Sequence, residues 1–357
     1  MFQIIQKLWE IQVELYNMDR VIIIAEAGVN HNGDINTAKL LIDAAAYAKV
    51  DYVKFQTFKA DTIVSPSAKK AEYQSKNTGD SSQSQYEMLK KLELSESDHD
   101  ELMAYCELKD VQFLSSAFDV EGVSYLNNLG LNLFKVPSGE ITNFPYLRAI
   151  AKTKKPIILS TGMASMGDIQ SSIEVLSNFG VKKEQLTILH CNTEYPTPMQ
   201  DVNLHAMNSI KDQFGVQVGY SDHTLGIEVP IAAVALGAKV IEKHFTLDNT
   251  LPGPDHKASL EPEALKEMVL AIRNIENALL GDGVKQPSAS EQKNIKIARK
   301  SIHLLKDLSA GTVISESDII PLRPGDGISP MEWNTIIGKT VIRDLKKFEK
   351  LNWTDLS

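Results

Sequence analysis

The stretch VIIIAEAGVNHNG, residues 21–33, decides how the rest of the chain is read. Five apolar residues run into an acidic one, Glu26, and then into a polar turn. A short apolar run closed by an ionisable residue is the pattern of a buried strand whose end carries chemistry. The pattern recurs seven more times along the first 250 residues. Residues 52–55 surround Lys54 and precede Gln56; 111–114 precede Ser115 and Ser116; 133–136 include Lys135 and precede Ser138; 156–159 precede Ser160 and Thr161. Residues 186–189 precede His190, 216–220 precede Asp222 and His223, and 238–241 precede Glu242, Lys243 and His244. Helical stretches separate most of these runs, and strands alternating with helices predict a parallel sheet. Eight such units predict an α/β fold of the (β/α)8 TIM-barrel type, with the polar clusters gathered at the C-terminal ends of the strands.

Working outward, the 357 residues exceed the roughly 250 that a barrel absorbs, so a remainder of domain size is left. Residues 18–284 are assigned to the barrel, 285–297 to a linker and 298–357 to a small β-rich domain with short runs at 301–305, 312–314 and 319–322. Residues 261–280, with Pro262 near the start and Gly281 as a stop, predict the last barrel helix. The connection 57–110 is about twice the usual length, and its middle, 74–85, is rich in Ser, Asn, Thr and Gly. A long polar loop on a barrel's active face covers or selects substrate. Residues 1–17 lack the basic start and uninterrupted apolar middle of a secretion signal, and are left as an N-terminal extension without assigned function.

Hydrophobic content of 43% with 23% charged residues predicts an ordinary folded core. The net charge of −9 argues against a nucleic-acid surface, which leaves a small anionic molecule in a local basic pocket as the expected partner. Cys106 and Cys191 are read as free thiols of a cytoplasmic protein, and no run reaches the ~18 apolar residues of a membrane helix.

Residues two apart in a strand share a face. Ile22, Ile24 and Glu26 therefore point together, as do Lys54 and Gln56, and Val240, Glu242 and His244. His223 and His244 end strands seven and eight, which are neighbours in a closed barrel, so they can approach one divalent ion (Mn²⁺, Mg²⁺, Fe²⁺ or Zn²⁺) or stand as hydrogen-bonded rim residues. His190 is read as structural, and His99, His205 and His303 as surface or packing residues. Inward ammonium groups on Lys54 and Lys135 need anions. A bound phosphate or carboxylate, with donors from Ser138, Gly139, Ser160, Thr161 and Gly162, answers that need; salt bridges to Glu26 and Glu140 are the alternative, and a Schiff-base lysine also fits the position.

The stretches IAEAGVNHNG (24–33), VKFQTFKA (53–60), KVPSGEITN (135–143), LSTGMAS (159–165), LHCNTEYPTP (189–198), GYSDHTLG (219–226), IEKHFTLD (241–248) and GPDHKAS (253–259) resemble bacterial sialic acid synthases. The tail, with ARKSI (298–302) and RPGDGISP (323–330), resembles their antifreeze-like SAF domain, a β-clip fold. The resemblance implies a transferase that condenses phosphoenolpyruvate with N-acetylmannosamine, giving N-acetylneuraminate and phosphate, or with a 2,4-diacetamido-2,4,6-trideoxyhexose, giving legionaminic or pseudaminic acid. It implies His223 and His244 as ligands of Mn²⁺ or Mg²⁺, and Glu26 and Glu242 as catalytic carboxylates. Lys54, Ser116, Lys135, Ser138 and Ser160 would hold phosphoenolpyruvate. Gln56, Asn77, Tyr86, Thr193, Tyr195, Asp255 and Arg323 would line the sugar site, Arg323 reaching it from the partner in a domain-swapped homodimer. Two departures stand out: SSAF at 115–118, where many relatives have Ser-Thr-Pro-Phe, and Thr193, which is asparagine in some relatives. A Schiff-base aldolase and an ice-binding protein are the rival expectations.

Overall fold

The computed structural model describes residues 20–78 and 84–357, so the expectation for residues 1–17 lies outside the described residues. The chain divides into two compact units, the first ending at Leu280 and the second comprising Gly281–Ser357.

The first unit is a TIM barrel of eight parallel strands: β1 Ile22–Gly28, β2 Tyr52–Thr57, β3 Gln112–Ala117, β4 Phe134–Val136, β5 Ile157–Ser160, β6 Leu186–Cys191, β7 Gln217–Asp222 and β8 Val240–His244. Their hydrogen-bonded order is β3-β2-β1-β8-β7-β6-β5-β4. The strands farthest apart in sequence, β1 and β8, are thus laced together, while β3 and β4 lie side by side with no ladder between them. The β-branched runs account for the strands: Ile23, Val53, Ile188 and Ile241 are buried on the face turned toward the helices, and Ile24 is buried on the inner face beneath Glu26. Register then levels the chemistry at one rim, with Glu26 opposite both Lys54 and His244, Gln56 opposite Ser116 and Ser221 opposite Glu242. Gly219 in β7 is fixed by close approach, since a Cβ there would collide with the Val240 carbonyl oxygen.

The helix Pro262–Ala278 buries Leu265, Met268, Val269 and Ile272, the three- and four-residue spacing of one face, and its Pro262 occupies the first turn, where a missing N–H costs nothing. It also ties off the N-terminal ends of the strands. Arg273 Nη2 donates to Asp51 Oδ2 at 2.8 Å, Arg273 Nη1 donates to Val21 O at 2.8 Å, and Val21 N donates to Glu276 Oε1 at 2.5 Å. Asp51 also accepts from Ile23 N at 2.8 Å.

The connection between β2 and β3, expected as a polar loop, is largely helical: Ala60–Ile63, Glu72–Thr78, Gln85–Lys90 and Glu96–Leu108. Its polarity conceals two start signals, the capping boxes of Ser84 with Glu87 and Ser95 with Asp98, in which each side chain satisfies the other residue's backbone N–H.

In the second unit, β9 Ser301–Leu304 pairs antiparallel with β10 Ile319–Leu322 over a core that includes Ile302, Leu304, Ile314, Ile336, Val341 and Leu351. Residues 312–314 form no strand of their own; Val313 makes a single bridge to Thr340. The expected linker 285–297 contains most of a helix, Ala289–Ala298, started by a capping box of Ser288 with Glu291 and burying none of its residues. Polar composition there signals an exposed helix as well as it signals a loop.

Candidate active site

The C-terminal strand ends open into a cavity of about 660 Å³ lined by Glu26, Lys54, Gln56, Lys135, Ser138, Ser160, His223, Glu242 and His244, among others. Glu26, Lys54 and Lys135 come from β1, β2 and β4, His223 directly follows β7, and Glu242 and His244 share a face of β8 at i and i+2. Lys54 Nζ stands 2.6 Å from Glu26 Oε2 and 3.6 Å from Glu242 Oε2, and Lys135 Nζ stands 3.1 Å from Glu242 Oε1. Ser221 Oγ donates to Glu242 Oε1 at 2.9 Å, and Lys54 Nζ donates to Ser116 Oγ at 3.2 Å. The alternative of lysine salt bridges is therefore realised for Lys54 and Glu26. Lys135, however, pairs with Glu242 and not with Glu140, which lies in the half-buried turn after β4 and accepts instead from Asn143 Nδ2 at 2.6 Å.

Electrostatics separates the two glutamates. Burial raises the Glu26 carboxyl, with Lys54 opposing. Burial also works to raise Glu242, but Lys135 and Lys54 together outweigh it and hold that carboxyl at about 2. Glu242 is thus the firmly ionised member and Glu26 the more readily protonated one. For Lys54, burial is outweighed by Glu242 and Glu26, and the ammonium is held above its ordinary range; burial prevails at Lys135 and lowers it. Polar valence is left over: Ser160 Oγ and Glu242 Oε2 have no hydrogen-bond partner among the described residues. Ser138 Oγ accepts from Gly162 N at 2.9 Å, 3.3 Å from Cys191 Sγ, a thiol that burial pushes up and keeps protonated.

His223 and His244 face each other with ring centroids 5.3 Å apart. The Tyr195 ring stacks on His223 at 4.0 Å and meets His244 edge-on at 5.4 Å. His223 Nδ1–H donates to Asn192 O at 2.5 Å, which leaves Nε2 as the lone-pair nitrogen. Burial holds His223 at about 4 and His244 well below the ordinary histidine value, so both rings are neutral at pH 7, the form that ligates metal. His244 Nδ1 has no hydrogen-bond partner among the described residues and lies 4.0 Å from Asp255 Oδ2. Burial, with Glu26 adding, pushes the Asp255 carboxyl up to about 7. No three or more His, Cys, Asp or Glu side chains among the described residues form a closed metal cage. Two neutral imidazoles side by side are donors that could hold a divalent ion with positions left for water or substrate.

Of the other expected sugar residues, Gln56, Thr193, Tyr195 and Asp255 line the cavity, and Gln56 Nε2 donates to Glu26 Oε1 at 3.3 Å. Asn77 and Tyr86 do not line it. Asn77 Nδ2 donates to Pro254 O at 2.7 Å, tying the helix Glu72–Thr78 to the segment after β8, and Tyr86 OH donates to Asp61 Oδ1 at 2.6 Å. Arg323 belongs to the second unit, where it is exposed and its Nε donates to Ala298 O at 3.0 Å. Ser221, Cys191 and Glu194 line the cavity without having been expected at the site, Cys191 having been read only as a free thiol. Ser221 was findable, because it stands two residues before His223.

The sequence matches the model of the NeuB family over residues 41–285 and that of the SAF domain over residues 299–357. It is 54% identical over 332 residues to an N,N'-diacetyllegionaminic acid synthase of Campylobacter jejuni, spanning 93% of this chain and 99% of that protein. An N,N'-diacetyllegionaminic acid synthase of Legionella pneumophila is 49% identical over 333 residues, 93% of each chain. Among solved structures, the N-acetylneuraminic acid (sialic acid) synthetase of Leptospira borgpetersenii in complex with citrate superposes with a TM-score of 0.67 at 35% identity, covering 77% of this chain and 90% of that one.

Proposed function

Because the chain belongs to the NeuB family and ends in a SAF domain, we propose that it is a sialic-acid-type synthase condensing phosphoenolpyruvate with an N-acylated mannose-type sugar. The favoured acceptor is a 2,4-diacetamido-2,4,6-trideoxyhexose, the class that yields diacetyllegionaminic acid, because both relatives compared above carry that name at 54% and 49% identity. N-acetylmannosamine, giving N-acetylneuraminate, is the second reading, favoured by the likeness to the Leptospira enzyme. One observation carries the chemistry: a pair of neutral imidazoles opens into the same cavity as a buried cluster of two lysines and two glutamates.

In this reading Lys54 and Lys135, with the hydroxyls of Ser116, Ser138 and Ser160, bind the phosphate and carboxylate of phosphoenolpyruvate. The Ser160 hydroxyl, without a hydrogen-bond partner among the described residues, is a donor for such an anion. A divalent ion, Mn²⁺ or Mg²⁺, held by His223 and His244 would act as a Lewis acid toward the sugar aldehyde. Carbon three of phosphoenolpyruvate attacks that aldehyde and positive charge develops at carbon two. The ionised Glu242 stabilises it in place, with no reorganisation needed. Glu26, whose carboxyl burial has raised, takes one proton of the water that adds there and passes it to the aldehyde-derived oxygen; the C–O bond to phosphate then breaks as the new carbon-two hydroxyl becomes the ketone and gives its proton to the departing phosphate. The active form is proposed to be a homodimer in which Arg323 serves the partner's sugar site.

Phosphate release and product mass, measured with phosphoenolpyruvate and each candidate sugar in the presence of Mn²⁺, test the proposal. A nine-carbon 2-keto acid from the diacetamido sugar at the highest kcat/KM is expected. Absence of phosphate release with every N-acylated mannose-type sugar sinks it.

A further inference from the structure

His223 and His244 are coupled by a second, concealed contact between β7 and β8. Asp222 directly precedes His223, Lys243 directly precedes His244, and the parallel register sets Asp222 opposite Lys243. Asp222, Lys243 and Thr224 are all fully buried. Lys243 Nζ donates to Asp222 Oδ2 and to Thr224 O, each at 2.5 Å. Thr224 N donates to Asp222 Oδ1 at 3.0 Å, and Thr224 Oγ1 donates to Asp222 Oδ2 at 3.0 Å. The Asp222 carboxylate therefore closes a turn whose middle residue is His223, and the ammonium that locks this turn belongs to the residue before His244.

None of the three residues lines the cavity. Alternation along β8 explains why: Glu242 and His244 face the cavity, so Lys243 between them faces the other way. A fully buried ion pair is a weak source of stability compared with apolar residues of the same volume. Here its geometry does something an apolar pair could not. The bonds are directional, they are made to the backbone on one side and the side chain on the other, and they join the two positions from which the imidazoles spring.

We propose that Asp222, Thr224 and Lys243 are positioning residues that set the spacing and orientation of His223 and His244 for a divalent ion. The inference rests on the reading of the two histidines as the ion's ligands, and its test separates the two ideas. Partners that orient metal ligands, when removed, lower affinity by about 10- to 100-fold.

The experiment titrates metal-free full-length protein with Mn²⁺, reading free ion by electron paramagnetic resonance, and measures phosphoenolpyruvate affinity separately without metal. His244→Ala is the control for the ligand reading: wild-type protein that binds no Mn²⁺, or a His244→Ala variant that binds like wild type, overturns that reading. Lys243→Met leaves Asp222 buried and unpaired, so the Asp222→Asn/Lys243→Met double variant, which removes both charges, and the near-isosteric Thr224→Val accompany it. The expected result is a Mn²⁺ Kd raised about 10- to 100-fold in the double variant and several-fold in Thr224→Val, with phosphoenolpyruvate Kd within about two-fold of wild type. Folded variants that bind Mn²⁺ as tightly as wild type overturn the inference. So do variants that lose Mn²⁺ and phosphoenolpyruvate affinity together with their melting transition, because the contact then holds up the barrel and not the ligand pair.

Discussion

At the N-terminal end of the barrel strands, Arg273 meets Asp51 at 2.8 Å, and Glu276 accepts from the amide of Val21. At the C-terminal end, Lys54 meets Glu26 at 2.6 Å and Lys135 meets Glu242 at 3.1 Å. The residue types are alike and the distances similar. What differs is surroundings and leftover valence. The first cluster is about one-fifth exposed, and its carboxylates also accept from strand amides, so it fastens β1 and β2 to the last barrel helix. The second is almost wholly buried and leaves Glu242 Oε2, Ser160 Oγ and His244 Nδ1 without hydrogen bonds among the described residues. Buried valence left open costs stability. Among the described residues the N-terminal cluster leaves one such atom, Arg273 Nε, whereas at the C-terminal end Glu26 Oε2 joins the three named above around a single cavity, the arrangement of a site that a ligand completes.

That contrast predicts opposite outcomes for comparable substitutions. Glu242→Gln should lower kcat about 10²- to 10³-fold while leaving phosphoenolpyruvate Kd unchanged or tighter, since the two lysines lose a competing anion. Weaker phosphoenolpyruvate binding with unaltered kcat, measured by steady-state kinetics and calorimetry, would mean that Glu242 merely organises the lysines.

Acid should weaken the C-terminal end through His31, in the turn after β1. Burial holds its imidazole at about 4 against 6.5 in the unfolded chain. The unfolded state therefore binds the proton first, and the stability present above pH 6.5 drains away as pH falls toward 4, by about 2–3 kcal/mol at pH 4.5. Denaturant titrations from pH 7 to 4.5 should show a shallower loss for His31→Asn; parallel curves would remove His31 from the account.

At the opposite end, Arg273→Met should destabilise the protein by about 1–2 kcal/mol and leave kcat within about two-fold. A large loss of kcat in a folded Arg273→Met protein would erase the distinction between the two ends. The smallest effect is expected at the exposed pair of Lys346 and Asp307 in the second unit, 3.0 Å apart, where Lys346→Ala should leave the melting temperature unmoved.

The strands were legible because β-branched runs such as VIII at 21–24 and II at 157–158 leave few alternatives to a buried strand, and all eight form where the apolar runs fall. Apart from β4, which ends at Val136 with its run, the strands extend past the C-terminal limits of the apolar runs. Glu26, Cys191, Asp222 and His244 are inside strands, since a polar residue at the rim keeps the ladder while reading as loop. Parity placed Glu26, Gln56 and His244 on the cavity side, yet it could not pair Lys135 with Glu242. That choice depends on how strands four and eight, over a hundred residues apart, level with each other across the barrel. Tyr86 and Asn77 rested on resemblance alone, and their side chains are engaged by Asp61 and by Pro254. Lys243 read as one more member of a polar cluster, although alternation along the strand already set it apart from its two neighbours.

The unladdered boundary between β3 and β4 gives the barrel, seen as a sheet, two free lips, and they belong to strands consecutive in the chain. The pairing that spans the greatest sequence distance, β1 with β8, is deep inside that sheet. Cutting the polypeptide between Leu129 and Phe134 would sever no strand-to-strand hydrogen bond, so this is the place at which the barrel could be opened and its fragments reassembled, or new chain ends introduced by circular permutation.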